Sequence, residues 1–120
     1  MAKKAPSKPY YRKKADRLIQ EWGRETFQYC ESCGKPMSCL HHYYPKSTAG
    51  HLRYNELNLI PICVGCHFAH HTKSDPRIHN AINELRGKEW LKELNKAKQE
   101  FLQYDRISFY KLIIEKYGHT

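Results

Sequence analysis

Four of the five cysteines fall in two pairs of identical spacing, Cys30-x-x-Cys33 and Cys63-x-x-Cys66. Thiolates are soft ligands, and two tight C-x-x-C turns can deliver four of them to one tetrahedral ion. The pairs therefore read as a structural Zn2+ site. One pair alone could be a redox dithiol, but two pairs flanking a His-rich segment favour zinc. A site closed by four cysteines holds a fold and leaves no position open for substrate. Gly34 follows Cys33 and Gly65 precedes Cys66, and both are expected to supply turn geometry. Cys39 is left over as a free thiol, buried or partly exposed, outside the ligand set. An odd cysteine count without a signal segment reads as a reducing compartment.

Five of the eight histidines, His41, His42, His67, His70 and His71, sit in this same region. Neutral imidazole near pH 7 can accept a proton from water or bind a divalent cation. Adjacent residues on a strand point to opposite faces, so His41 and His42 can share a target only at a strand end, twist or bulge. Residues i and i+4 on a helix share a face, which stacks His67 over His71. His70 points about 100° away and stays outside that set. Asn58 lies between the two histidine elements. Taken alone, it would be a turn former. His51 and His79 read as surface residues, and His119 carries no information.

These side chains need elements to position them. Residues 1–14 carry Lys3, Lys4, Lys8, Arg12, Lys13 and Lys14, broken by Pro6 and Pro9, and read as a flexible basic arm. Residues 12–22 predict a short helix, overlapping the arm by a turn, with Leu18, Ile19 and Trp22 as its apolar edge and Gly23 as its stop. Residues 39–44 and 57–62 predict two short strands around a loop rich in turn formers. A helix is expected from Cys66 to near Ser74. Asp75-Pro76 signals a further helix start, closed by Gly87. Trp90, Leu91, Leu94, Ala97, Phe101 and Leu102 continue an amphipathic pattern, and a last helix is predicted over residues 107–117. The order is helix, knuckle, ββα, then two or three helices. The expected division is an arm (1–14), a zinc-stapled core with its preceding helix (15–74) and a helical extension packed on the core (75–120).

At His41-His42, Asn58-Leu59 and Cys63-x-x-Cys66-His67 the sequence resembles the HNH endonucleases of the ββα-metal, or His-Me finger, superfamily. The likeness runs from Cys30 to His71. It implies a small α+β fold with a ββα-metal, treble-clef-like core, stapled by the four-cysteine zinc and flanked by an N-terminal helix and C-terminal helices. It implies a metal-dependent DNA endonuclease in which His42 is the general base. As in the His-rich members of the family, His41, His67 and His71 would hold one catalytic cation such as Mg2+, Mn2+ or Ni2+. Asn58 would hold the loop and orient the His42 ring through a hydrogen bond. Products would carry a 5′-phosphate and a 3′-hydroxyl. The stretch Arg53-Tyr54 to Asn58, ahead of the second cysteine pair, is also similar to the phage NinG-type recombination-associated proteins. Those proteins often have Cys-Asn where this chain has Cys66-His67.

Of the 120 residues, 40% are hydrophobic and 28% charged, and the net charge is +9. Such an excess attracts polyanions, foremost nucleic acid. Lys46, Arg53 and Lys73 near the predicted site, with Arg12, Lys13 and Lys14 of the arm, are candidate phosphate contacts, as against ordinary surface charge. The longest apolar runs, such as Leu59-Ile60-Pro61-Ile62, are far short of the roughly 20 residues of a membrane span. The start Met-Ala-Lys-Lys-Ala-Pro lacks the apolar core of a secretory signal. The expected location is cytoplasmic, in the host if the chain is phage-encoded. The competing reading is a non-catalytic, zinc-dependent DNA-binding or recombination-accessory module on the same fold. A zinc-dependent interaction protein that binds no nucleic acid fits +9 poorly. The C-terminal helices could be a DNA clamp, a dimer seam or a docking surface for a phage or host protein. The apolar stripe Leu91, Leu94, Phe101 and Leu102 reads as internal packing ahead of a dimer seam, and the sequence leaves monomer or dimer open.

Overall fold

The computed structural model describes residues 7–47, 49–73, 76–100 and 105–118, with the last four residues of the second helix described by backbone alone. The described residues form a small α+β structure with four α-helices and one two-stranded sheet. No described helix is long and apolar enough to cross a membrane. The chain divides into two compact units, residues 23–102 and residues 1–22 with 103–120.

In the larger unit, β1 (Cys39–His42) pairs antiparallel with β2 (Leu59–Ile62), and Cys39, Leu40, His41 and His42 face Ile62, Pro61, Ile60 and Leu59. Residues directly opposite each other share a face. Cys39, His41, Ile60 and Ile62 therefore lie on one side, and Leu40, His42, Leu59 and Pro61 on the other. Proline on β2 costs no ladder bond, because its backbone nitrogen lies on the strand edge that faces away from β1. The carbonyl of Pro61 still accepts from the N–H of Glu31 at 2.8 Å. The second helix, α2 (Val64–Lys73), follows β2 after a single residue.

The next helix, α3 (Arg77–Gln99), is bent at Gly87, whose φ of 85° and ψ of 175° lie in a region that only glycine enters freely. Before the bend, Ile78 and Ile82 join Cys30, Ile60, Ile62 and Cys63 in one buried cluster. After it, Leu94 packs on Ala49 and Leu52 of the loop between the strands. The Trp90 indole donates to the Leu57 carbonyl at 2.8 Å, so α3 also grips that loop by a hydrogen bond. α3 thus supplies part of the core of the cysteine-bearing unit. The reason is the apolar spacing of Ile78, Ile82 and Leu94, which faces the sheet and loop.

The smaller unit holds most of α1 (Lys8–Thr26) and the last helix, α4 (Arg106–Tyr117). Trp22 meets Tyr117 edge to face with ring centroids 5.4 Å apart. Asp105 caps α4 by accepting from the N–H of Ser108 at 3.3 Å.

Two expectations about α1 are corrected. Residues 8–14 are helical, so the flexible arm does not extend to residue 14; residues 1–6 lie outside the described residues. Lys8, Arg12, Lys13 and Lys14 are spaced along one continuous helix, and proline at position 9 is tolerated in a first turn, where its missing N–H has no partner to lose. Nor does Gly23 stop the helix. It is buried, and a β-carbon there would collide with the side chain of Leu40. Its role is close approach to the sheet. The Asp75 cap, Phe101 and Leu102 fall outside the described residues.

Candidate metal centre and histidine cluster

The first cysteine pair sits on a tight knuckle. The N–H of Cys30 donates to the Lys35 carbonyl at 2.6 Å, and that of Gly34 to the Cys30 carbonyl at 2.9 Å. Gly34 has φ of 81°, as the turn requires. Gly65 does not share this property; it lies in the first turn of α2 with an ordinary backbone. The second pair sits at the end of β2, and the N–H of Cys66 donates to Cys63 Sγ at 3.4 Å.

The four sulfurs of Cys30, Cys33, Cys63 and Cys66 lie within 4.8 Å of one another, with Cys33 and Cys63 at 3.6 Å. Four thiolates about 2.3 Å from a tetrahedral ion would be about 3.8 Å apart, so the donor set fits zinc. Mutual contact splits their acidities. Although burial opposes ionisation of Cys63, the Cys66 N–H and the neighbouring thiols lower it to about 7. Burial first, then the same thiols, push Cys66 up to about 12. Cys39 stays outside this group. Burial raises its thiol, and its Sγ lies 3.7 Å from Nδ1 of His67.

The sheet register sends the two adjacent histidines to opposite faces. His41 is only 3% exposed, and its ring centroid lies 5.8 Å from that of His67 on α2. The N–H of His67 bonds the Cys63 carbonyl at 3.0 Å, which ties this ring to the cysteine knuckle. The side chains of His70, His71 and Lys73 lie outside the described ones, so His71 is placed only as a backbone position on α2.

His42 turns to the other face. Its Nε2 lies 2.9 Å from the carbonyl oxygen of Arg53. A carbonyl only accepts, so Nε2 carries the proton in that bond and Nδ1 keeps its lone pair. Asn58 is fully buried and does hold the loop. Its Oδ1 accepts from the N–H of Tyr44 at 2.8 Å, and its Nδ2 donates to the carbonyls of Tyr44 at 3.1 Å and Leu52 at 3.3 Å. The expected bond from Asn58 to the His42 ring is corrected: the amide is spent on the loop backbone. Asn58 acts on His42 indirectly, by fixing Leu52 next to Arg53.

Two further histidines are not simple surface residues. His51 Nε2 lies 2.7 Å from the Lys98 carbonyl and so ties the loop to the end of α3. His79 on α3 places Nε2 3.1 Å from Nε2 of His41. Its ring stacks on Tyr43 at 4.4 Å and 12°. The signal for His79 was its position one residue after Ile78 on an amphipathic helix, but nothing local says that the helix packs beside His41. Lys46 is exposed, and Arg53 lies over the Tyr54 ring at 5.9 Å. Arg12, Lys13 and Lys14 belong to the smaller unit.

No protein-family model, curated protein or solved structure matches this chain.

Proposed function

We propose that the chain is an HNH-type, metal-dependent DNA endonuclease built on a zinc-stapled ββα-metal core. The observation that carries this reading is the 2.9 Å contact between His42 Nε2 and the Arg53 carbonyl. A carbonyl only accepts, so the contact assigns the proton of the neutral ring to Nε2, and Nδ1 is the nitrogen that takes the proton in the reaction. The same bond strengthens when the ring becomes cationic, so Arg53 also stabilises the imidazolium formed by proton transfer. β1 ends at His42, so a phosphate lying across the strand end meets both faces of the sheet.

On the other face, His41 and His67 are imidazole donors of the kind that borderline divalent cations accept. A divalent cation held there supplies electrostatic stabilisation of the charge that grows on the phosphate and the leaving oxygen. His42 takes the proton of the attacking water. Asn58 keeps the Arg53 turn in place beneath it. Lys46, Arg53 and Lys73 contact flanking phosphates, and the net charge of +9 draws the duplex in. In the same reading His71 completes the cation site, and the protein acts in the cytoplasm.

The test is incubation of the zinc-loaded protein with supercoiled plasmid, junction and single-stranded DNA in EDTA, Mg2+, Mn2+ or Ni2+. Metal-dependent nicking or cleavage is expected. Binding without cleavage of any of these would leave a DNA-binding module on the same fold.

A further inference from the structure

His79 belongs to no part of the ββα segment, yet its Nε2 is one of the nearest polar atoms to His41. The two nitrogens are 3.1 Å apart. Two imidazoles bound to one cation at about 2.0–2.1 Å would be separated by about 2.9 Å at a right angle and about 3.4 Å at the tetrahedral angle. The observed spacing falls between these limits.

The surroundings hold the ring of His79 in that pose. Tyr43 stacks on it, and the Tyr43 hydroxyl donates to Asn83 Oδ1 at 2.8 Å, one helical turn further along α3. Trp90 meets Tyr43 edge to face at 5.1 Å. The helix itself is pinned by buried Ile78 and Ile82 on either side of His79. A ring needed only at the surface would not require this support. Metal-binding imidazoles are held in orientation by second-shell partners, and here the stack on Tyr43 fixes the plane of the ring.

We propose that His79 is a ligand of the same divalent cation as His41, supplied from α3. This inference rests on the cation site of the proposed nuclease and extends it to a helix outside the motif. It also gives α3 a chemical role: supplying a cation ligand from outside the ββα segment.

The test uses full-length, zinc-loaded protein titrated with Ni2+ by calorimetry, with histidine 15N NMR as a second readout. Zinc content and melting temperature check the fold of each variant. His79→Ala and His79→Phe should each weaken Ni2+ binding by about 10-fold or more. The phenylalanine keeps the stack on Tyr43 and removes only the nitrogens. His51→Ala, which removes a ring bonded to the Lys98 carbonyl, should bind as wild type. In the wild-type spectrum, Ni2+ should perturb the Nε2 resonances of His41 and His79 together.

Wild-type Ni2+ affinity in His79→Phe, or no Ni2+ binding by the wild type, overturns the proposal. Plasmid cleavage is measured on the same samples. Cleavage by the wild type with unchanged binding and cleavage in His79→Phe defeats the His79 assignment and leaves the nuclease standing. Weakened binding in His79→Phe with no cleavage of any DNA by the wild type supports the cation site and defeats the nuclease.

Discussion

Nε2 of His42 lies 2.9 Å from the carbonyl oxygen of Arg53, and this bond decides which nitrogen of the ring is basic. The sheet register places His42 on the face opposite to His41. Replacing His42 by Ala removes a proton acceptor and none of the proposed cation donors. Cleavage should fall by roughly 10²–10⁴-fold, the range for loss of a general base. Ni2+ affinity should be unchanged by calorimetry. A variant that cuts DNA at the wild-type rate would remove His42 from the reaction.

Asn58 is predicted to matter for both stability and rate. Its amide makes three bonds to loop backbone while fully buried. Asn58→Ala leaves the N–H of Tyr44 and two carbonyls without those partners and opens a small cavity. The expected loss is about 2–4 kcal/mol in urea unfolding. Cleavage by the folded fraction should fall too, because the Arg53 carbonyl is no longer held under His42. A stable Asn58→Ala protein with a lower rate would show that the amide positions the ring without being needed for the fold.

Much of this arrangement was legible in the residues themselves. The cysteine pairs announce their cluster because a shared spacing implies a shared ligand. The opposite faces of His41 and His42 follow from the two-residue period of a strand. What was not legible depends on tertiary packing. Gly23 has the signature of a helix stop, and only the neighbouring Leu40 side chain shows that its lack of a β-carbon serves close approach. His79 is separated from His41 by 38 positions, and nothing in its own helix reports that distance. Asn58 could be placed at the loop, but its partners could not, since a buried amide satisfies itself from whatever backbone folds around it.

The cysteine cluster should hold about one zinc per chain, and Cys63→Ser should lose both zinc and the fold. Cys66 held near 12 and Cys33 raised mean that zinc must displace protons from both. Zinc affinity should therefore rise with pH, and a chelator should strip the protein faster as pH falls. Protons released on loading can be counted with an indicator dye in weakly buffered solution. A well-folded, zinc-free Cys63→Ser protein would sink the structural role.

DNA binding should depend steeply on salt, with a log-log slope of about 0.9 per neutralised phosphate. Deleting residues 1–14 would cut into α1, whose Ala15 and Leu18 are buried. Substituting Gln for Arg12, Lys13 and Lys14 removes charge while keeping good helix formers. If all three meet phosphates, the slope should become shallower by about 2.7. An unchanged slope would show that this turn of α1 does not touch DNA.

The cysteine knuckle is joined to α3 through the side chain of Arg86. Arg86 forms a two-pronged ion pair with Glu31, the residue after Cys30, and donates to the Leu59 carbonyl at 3.4 Å. The two side chains are only 19% and 13% exposed, and Arg86 also lies over the Trp90 ring at 5.1 Å. Removing one partner strands a largely buried charge, which costs on the order of 3–5 kcal/mol. Arg86→Met should lose about that much in urea unfolding, and zinc should leave the knuckle faster because Glu31 is no longer tied to α3. Adding Glu31→Gln removes the stranded charge, so the double variant should regain part of the loss. If the double variant is as unstable as Arg86→Met alone, the loss comes from the stack on Trp90 and the bond to Leu59, and the ion pair contributes specificity of docking without net stability.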